Sequence, residues 1–544
     1  MLYISALQER KQAVFNEKNF YPIKFTMKKT TGSPIIYKDA QLLVVDKPTG
    51  FSSQAMTEGE VGITEWLALH LQYQIDLYSS LTKSCSGVLL LRRKNQIEKA
   101  ENDQPVKIAE KKYHFISAKR YRGQTEEDGS WLVERDNSIT EESVRFRFLE
   151  EGRDYSLYEA ATLSCCRRVQ EFAEESGIAI VGDGADSPFA RLFLHCHSIR
   201  LAESGHEFIS STPDSFSFVL KQRDKVLIDT AIAWERRLGW LQLITNSYRL
   251  IQRGELDLPV SIDLYDNTLS ITGFSEEKTS TQLRTLLEPA LDYLRDKLAW
   301  QGALLRRHAQ NPHQKKLIHD VIQWGAPISS SNIAHEHLLD FEVNINESQH
   351  VGLFLDQRDS RRRVWQIAEG RRVANLFSFT CSFSAAALAG GAEVVFSVDL
   401  AGSTLARGKG NFALNHLDES GRGKFIKEDV CKWLQRQERK YARNPEEFTP
   451  WDLIICDPPV FASAGKGQAF HVEKQWPELA RQIRMLLSVR GVALFANNHR
   501  GGNASYYRAE LEKHFSLVRQ MSPPMDFPRL AGSPEHVRIY WCQV

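Results

Sequence analysis

Asp399, Asp429 and Asp457 each stand at the end of a short apolar run in the last third of the chain, and two prolines follow the last of them. The stretch 451–461, WDLIICDPPVF, reads as a buried strand running into Asp457-Pro458-Pro459 and the aromatic Phe461. Prolines cannot continue a sheet ladder, and they fix the backbone. The Asp457 carboxylate and a neighbouring carbonyl can therefore face a planar group at low entropic cost, at the strand end where open α/β sheets take their ligands. Upstream, the loop Ser378-Phe379-Thr380-Cys381-Ser382 follows Phe377 and opens a helix of small residues, 385–387, whose free N–H groups can hold a carboxylate. Asp399 lies 24 residues past Asn375, close to the roughly 20-residue interval at which an acid accepts ribose hydroxyls in nucleotide-binding α/β folds. Asp429 ends the third run, where a carboxylate can accept the exocyclic amine of an adenine. A methionine carboxylate, a ribose and an adenine together make S-adenosylmethionine (SAM). Any one of these residues could cap a helix or close a turn; four strand-end matches in register point to a site.

Runs at 373–377, 394–398, 424–426, 453–456 and 492–495 alternate with helical segments, which predicts a parallel doubly wound sheet. The last two runs, 515–521 and 536–544, suit a closing antiparallel hairpin. Farther upstream, 218–233 with Trp234 and Trp240 reads as a strand and a tether. Residues 248–274 give two alternating runs around Asp266-Asn267, a hairpin signal. Apolar residues from Leu283 to Leu298 recur at helical spacing, and Pro289 is expected to kink or split that helix.

With 69 Lys+Arg against 68 Asp+Glu, bulk charge favours no partner, so nucleic-acid affinity must come from local basic patches. Arg306-Arg307-His308 with Lys315-Lys316 is one such patch, read as a solvated surface; Arg358, Arg361, Arg362 and Arg363 form the densest one near the strand ends. Eight scattered cysteines without a CxxC pair fit reduced thiols of a cytosol rather than a disulfide framework or a zinc site. No signal peptide is visible, and no apolar run approaches the roughly 20 residues of a membrane span, so a cytoplasmic location is expected.

In the N-terminal part, 35–54 holds a β-rich run before the turn Lys47-Pro48-Thr49-Gly50, and 79–94 feeds a Ser/Cys/Gly loop into another apolar strand. With Lys111-Lys112-Tyr113, Ile180 to Asp183 and the LFLH of Leu192 to His195, these segments resemble the RluA/RsuA pseudouridine synthases over about residues 30–205. The resemblance implies an α+β RNA-binding domain. Its catalytic aspartate falls on Thr82, and its His-Arg pair on Ser79 and Ser80. The family's GRTHQIR stretch falls on 164–170, where Arg167 and Arg168 keep the region basic. A neutral hydroxyl with no adjacent base cannot replace an ionised carboxylate, so the domain is read as catalytically dead. Asp76 is the one nearby rescue candidate.

The C-terminal part resembles the class I SAM-dependent methyltransferases, and more closely the guanine-N7-methylating half of the large-subunit ribosomal RNA methyltransferases K/L. It is also similar to the cytosine-5 methyltransferases I. The matching residues are GLFLDQR from Gly352 to Arg358, NLFSFT from Asn375 to Thr380, Gly390-Gly391-Ala392, Val398-Asp399, Asp457-Pro458-Pro459 with Phe461, and 497–501. Departures are Cys381 in place of a glycine, where a side chain can crowd the cofactor, and His499 in place of a lysine. The resemblance implies a Rossmann-like seven-stranded sheet, SAM as cofactor, and cofactor contacts from Arg358, Asn375, Phe377, Ser378, Thr380, Asp399, Asp429 and Asp457. Methylating C5 of cytosine needs a thiol that adds to the ring, and the position carrying it in the cytosine-5 relatives reads Ala496-Asn497-Asn498 here. Guanine N7 already carries an in-plane lone pair and needs only alignment. Asp457, Pro458, Pro459, Phe461 and Asn497 are therefore expected to position the base, and Arg361, Arg362, Arg363 and Arg500 to touch RNA, taken as 23S rRNA or a pre-50S particle. The expected units are an N-terminal extension (1–30), a synthase-like domain (31–216), a tether with a small α+β domain (217–345) and the methyltransferase domain (346–544). Two other readings stay open: a bifunctional methyltransferase and pseudouridine synthase, and a non-catalytic ribosome-assembly factor.

Overall fold

In the computed structural model, the C-terminal runs become β1 (Arg372–Leu376), β2 (Val394–Asp399), β3 (Gly423–Lys427), β4 (Trp451–Cys456), β5 (Leu487–Asn497), β6 (Leu517–Met521) and β7 (Arg538–Gln543). The structure describes residues 33–544 except 58, 94–105, 138–139, 183–186, 238, 276, 308–320, 347–349, 418, 420, 463–468, 500–502 and 531–536. The strands form one sheet in the order β3-β2-β1-β4-β5-β7-β6. The first five are parallel, and β7 runs antiparallel between β5 and β6.

Successive side chains of a strand point to opposite faces, and the sheet follows that rule except at the irregularity between Trp451 and Leu453. Val373, Val395, Leu453 and Leu494 pack under α1 (Arg358–Ile367), α2 (Ser382–Ala389) and α3 (Gly402–Leu414). Their neighbours Ala374, Val398, Ile454 and Phe495 pack under α4 (Val430–Arg443), α5 (Val472–Leu486) and α6 (Ala504–Glu512). A sheet buried on both faces reads as continuous apolar runs, which is why the parallel strands were visible in the sequence.

A ten-stranded sheet occupies residues 35–209, with Leu42–Lys47 beside Ser86–Arg93 near one edge. Gly87 (φ +109) is required there, because a Cβ would stand 2.2 Å from the Cys196 carbonyl oxygen on the neighbouring strand. A five-stranded sheet follows, in which Val260–Tyr265 and Thr268–Gly273 pair across the Asp266-Asn267 turn. These two sheets share one buried cluster, from Leu42 to Leu305, which Met525 of the segment after β6 also joins. A two-stranded ribbon, Asn332–Glu336 with Leu339–Val343, leads to the methyltransferase sheet.

Two expectations are corrected. The segment 218–233 is helical, ending Asp214–Leu220 and filling Lys225–Glu235. Asp224 caps the second helix by accepting from the Val226 N–H at 2.8 Å, and burial on several sides hid the helical period. The helix Ser280–Leu298 is not split: it runs through Pro289, started by a Thr279/Gln282 capping box. Pro289 lies on the exposed side, as does Thr285, whose carbonyl the proline leaves without its i+4 donor, so water can satisfy it. Of the basic patch, Arg307 donates to the Lys278 carbonyl and Arg306 to that of Ile345, while 308–320 lie outside the described residues. The N-terminal extension lies outside them too.

Candidate active site

Strand register brings the expected residues to one rim. Leu376 pairs with both Val398 and Cys456, and Cys456 with Phe495, so the loops after β1, β2, β4 and β5 leave the sheet side by side. The loop after β1 alternates left-handed residues, Phe377 (φ 56), Phe379 (φ 48) and Cys381 (φ 60). The alternation curls the loop into a concavity, with the N–H groups of Ser378, Phe379 and Cys381 committed to the Val398 carbonyl, Asp399 and the Ser378 carbonyl. The loop is pinned from three sides. Asp399 accepts from the Phe379 N–H at 2.9 Å, Thr380 Oγ1 donates to the Gly352 carbonyl at 2.7 Å, and Asn411 Nδ2 donates to the Thr380 carbonyl at 2.9 Å.

Cys381 does not crowd the concavity. Its thiol is fully buried against α3, where a Cβ on Gly408 would come within 2.4 Å of Cys381 Sγ. Burial pushes that thiol up to about 11. Glycine at 408 makes the room that a cysteine at 381 needs, a compensation visible only once the two loops are placed together.

The two ribose and adenine candidates are also backbone anchors. Asp399 accepts from the N–H groups of Phe379 and Ala401 (2.8 Å), and Asp429 caps α4 by accepting from the Lys432 N–H at 2.9 Å. An ionised carboxylate has about four acceptor sites, so each keeps capacity for hydroxyl or amine donors. Asn375 is a strut instead: it is buried and its Nδ2 donates to Ser384 Oγ at 2.9 Å. Ser378 is buried, with its N–H on the Val398 carbonyl.

On the substrate side, burial pushes the Asp457 carboxyl up to about 7; the Asp356 carboxylate adds to this and the Arg361 guanidinium opposes it. Pro458 is buried and Pro459 exposed. Phe461 is 56% exposed and meets His471 edge-on at 5.0 Å, a rigid apolar face beside the acid. Phe377 reaches the same side, 5.3 Å from Phe470. Asn497 is buried, accepts from the His499 N–H at 2.8 Å, and its amide lies against the Tyr507 hydroxyl. The nearby Tyr507 hydroxyl is engaged by His499 Nδ1 at 2.6 Å.

The arginine expectations are corrected. Arg358 is fully buried and bidentate on Asp526 (2.8 and 3.2 Å), with a further bond to the Ser247 carbonyl. Arg361 is bidentate on Glu336 (2.8 and 2.6 Å) and also donates to the Phe354 carbonyl. Arg362 donates to the Leu69 carbonyl at 3.1 Å, and burial lowers it to about 10. These three fasten α1 to the rest of the chain, and the forks of Arg358 and Arg361 are committed to carboxylates rather than to a cofactor or a phosphate. Arg363 is half-buried and lowered by burial, with Asp359 opposing and Arg519 adding to the shift. Arg500 lies outside the described residues. Asp526, the hub of the arrangement, escaped sequence reading because a lone acid in a loop gives no periodic signal.

In the N-terminal sheet unit, the Thr82 N–H donates to Cys166 Sγ at 3.4 Å. Its hydrogen bond from Cys85 leads the causes that bring the Cys166 thiol down to about 6. Asp76 is paired with Arg92 at 3.1 Å, and Tyr113 is buried.

A doubly wound sheet of this strand order, with acids closing its second and third strands and an Asp-Pro-Pro turn after its fourth, defines a class I SAM-dependent methyltransferase. The chain belongs to the S-adenosylmethionine-dependent methyltransferase family, whose profile matches residues 254–532. It is 31% identical over 273 residues to a "Ribosomal RNA large subunit methyltransferase K/L" of Alteromonas mediterranea, covering 49% of this chain and 37% of the relative. It is 38% identical over 200 residues to the protein of the same name from Shewanella oneidensis, covering 36% of this chain and 26% of the relative. The chain thus matches about a third of the length of these curated relatives. Among solved structures, SMU.776, a candidate methyltransferase complexed with SAH, shares the fold with a TM-score of 0.50 at 23% identity, over 63% of this chain and 86% of that one. SAM is the methyl donor. Among the described residues, no helix is long and apolar enough to cross a membrane.

Proposed function

We propose that this methyltransferase acts on RNA, transferring the SAM methyl group to N7 of a guanine in large-subunit ribosomal RNA. The observation that carries the reading is the composition of the rim: a Pro-Pro-Phe clamp beside the buried Asn497 amide, and no thiol placed to attack a ring. Cys381 and Cys456 are both fully buried, which removes the nucleophile that cytosine C5 chemistry requires. Guanine N7 needs alignment with the methyl and sulfur and exclusion of water. The relatives named as large-subunit methyltransferases K/L support the ribosomal substrate. In this reading the loop 377–381 takes the methionine carboxylate, Asp399 the ribose, Asp429 the adenine amine, and Asp457 to Phe461 with Asn497 the base.

The ten-stranded sheet unit serves as a degenerate pseudouridine-synthase-like domain that presents RNA. Thr82 is a neutral hydroxyl, and Asp76 is held by Arg92 at the far end of the Ser86–Arg93 strand. The protein works in the cytoplasm on rRNA or its assembling particle. A second reading has a specific observation behind it: a carboxyl poised near pH 7 at Asp457 can accept a proton, which suits methylation of an exocyclic amine.

Tritium from labelled SAM is expected in rRNA, with the label lost in Asp457→Ala. Chromatography of the digested RNA then separates 7-methylguanosine from an N-methylated amine. Label that never enters RNA removes the substrate assignment.

A further inference from the structure

Away from the SAM loops, a cleft of about 550 Å³ opens between the N-terminal sheet unit and the segment that follows β6. The turn around Gly50 and Glu60 forms one wall with Lys83, and Arg508, Arg519 and the proline-rich run to Leu530 form the other. Lys83, Arg236, Arg508, Arg519 and Arg529 line the cleft against one carboxylate, Glu60. The whole chain carries a net charge of only +1, so this excess is local and not compositional. Glu255 lies beside Arg236 at 2.8 Å and Glu512 beside Arg508 at 2.7 Å, which tempers those two charges. Lys83 stays 65% exposed despite Glu60 at 3.7 Å, and Arg529 is exposed.

The walls are bonded together. The Ser522 N–H donates to the Gly59 carbonyl at 2.8 Å, and Gly59 (φ +81) approaches so closely that a Cβ would stand 1.8 Å from the Gln520 carbonyl oxygen. The cleft is therefore preformed, and a ligand need not meet the cost of building it. Strand register places it on the rim of the active site: Met521 pairs with Ile539, Ile539 with Ala496, and Phe495 with Cys456. Three strand steps of roughly 4.8 Å separate β6 from β4, so the cleft lies on the order of 15 Å from the Asp457 turn.

We propose that this cleft holds a single-stranded RNA segment by its phosphates, a few nucleotides from the base presented at Asp457 to Phe461. The proposal rests on the RNA reading above and adds a second subsite to it. A space of this volume accepts a ligand of drug-like dimensions, one or two nucleotides of an extended strand, and not an A-form duplex, which is recognised by shape over many base pairs.

Fluorescence anisotropy of a labelled 12-nucleotide RNA on the full chain tests it, comparing wild type with the double variant Lys83→Glu/Arg529→Glu. Binding is expected to weaken at least about tenfold at 0.1 M salt, and the slope of log K against log salt to fall by roughly 0.7 for each phosphate no longer neutralised. SAM affinity by calorimetry is expected to be unchanged. Unchanged RNA binding by the double variant overturns the proposal while leaving the methyl-transfer reading intact. Wild-type protein that binds SAM but neither RNA nor an RNA methyl label instead overturns the RNA reading itself. Because the variant could misfold, 4-thiouridine cross-linking on wild type supplies a second measurement. Adducts within 49–61 or 518–530 are expected, and adducts confined to 457–461 and 497, or competition by duplex RNA or an acidic peptide alone, overturn it.

Discussion

Replacing Arg358 with alanine separates a strut from a ligand. Both side chains of the Arg358–Asp526 pair are 0% exposed, and Asp526 also accepts from the Arg249 N–H at 3.0 Å. Removing one member of such a buried pair strands the other charge, at about 3–5 kcal/mol. At about 2–4 °C per kcal/mol for a unit of 150–250 residues, the transition of the C-terminal unit should fall by roughly 6–20 °C in scanning calorimetry. SAM affinity measured below the transition should stay within about a factor of ten, or 1.4 kcal/mol, of wild type. The pair Arg358→Met with Asp526→Leu should recover much of the loss, since a buried ion pair can often be exchanged for apolar packing. Recovery should stop short by about 1–3 kcal/mol, because the Arg249 N–H then has no acceptor. A variant that keeps its transition within about 2 °C yet loses SAM affinity about 100-fold would overturn the strut assignment and return Arg358 to the cofactor.

Gly408→Ala should destabilise by about 1–3 kcal/mol, although alanine favours helix, because its methyl meets Cys381 Sγ; adding Cys381→Gly should restore the midpoint in urea and leave SAM affinity unchanged. Methyl transfer should rise with an apparent pKa near 7 if Asp457 acts ionised, and Asp457→Asn should flatten that limb of the pH–rate profile. Because the folded value of Asp457 is raised, its contribution to stability is full below the ordinary carboxylate range and is lost as pH rises through about 7. Buried His70 and His337, with their nitrogens 3.1 Å apart, run the other way. Burial lowers both, against Asp359 beside His70 and with help from Arg358 and Arg362, so the unfolded chain binds the protons. Stability should be full above about pH 6.5 and fall below it, by about 1.4 kcal/mol per pH unit for each imidazole, a slope that His337→Gln should roughly halve in acid titrations followed by fluorescence.

Apolar periodicity made the methyltransferase sheet legible, since five parallel strands buried on both faces leave continuous runs that end in acids or prolines. The rim residues were legible for the same reason: a strand end fixes where Asp399, Asp429 and Asp457 must lie. Long-range compensation was not. Nothing near Cys381 in sequence announces that Gly408 makes space for its thiol, and the double role of Asp399, holding the Phe379 N–H while leaving lone pairs free, needs both loops in place. The 218–233 segment failed because burial on several sides erased the one-sided stripe that marks a surface helix.

The arginine run misled for a reason that bears on how the molecule works. A basic helix reads as a solvated face when one side of it packs, yet α1 is clasped by three separate parts of the chain. Arg358 goes to the segment after β6, Arg361 to the two-stranded ribbon, and Arg362 with Gln366 to the last turn of the N-terminal helix Ile63–Leu71. Apolar packing is non-directional and would tolerate small rotations of one unit on another. Bidentate guanidinium bonds fix orientation as well as contact. The same segment that Arg358 anchors through Asp526 forms a wall of the basic cleft, and the same helix packs under the SAM-binding sheet. Buried charge here therefore sets the angle of that cleft wall and of the ribbon on α1, while single bonds from Arg362 and Gln366 and the His70–Asp359 contact tie the N-terminal unit to the same helix.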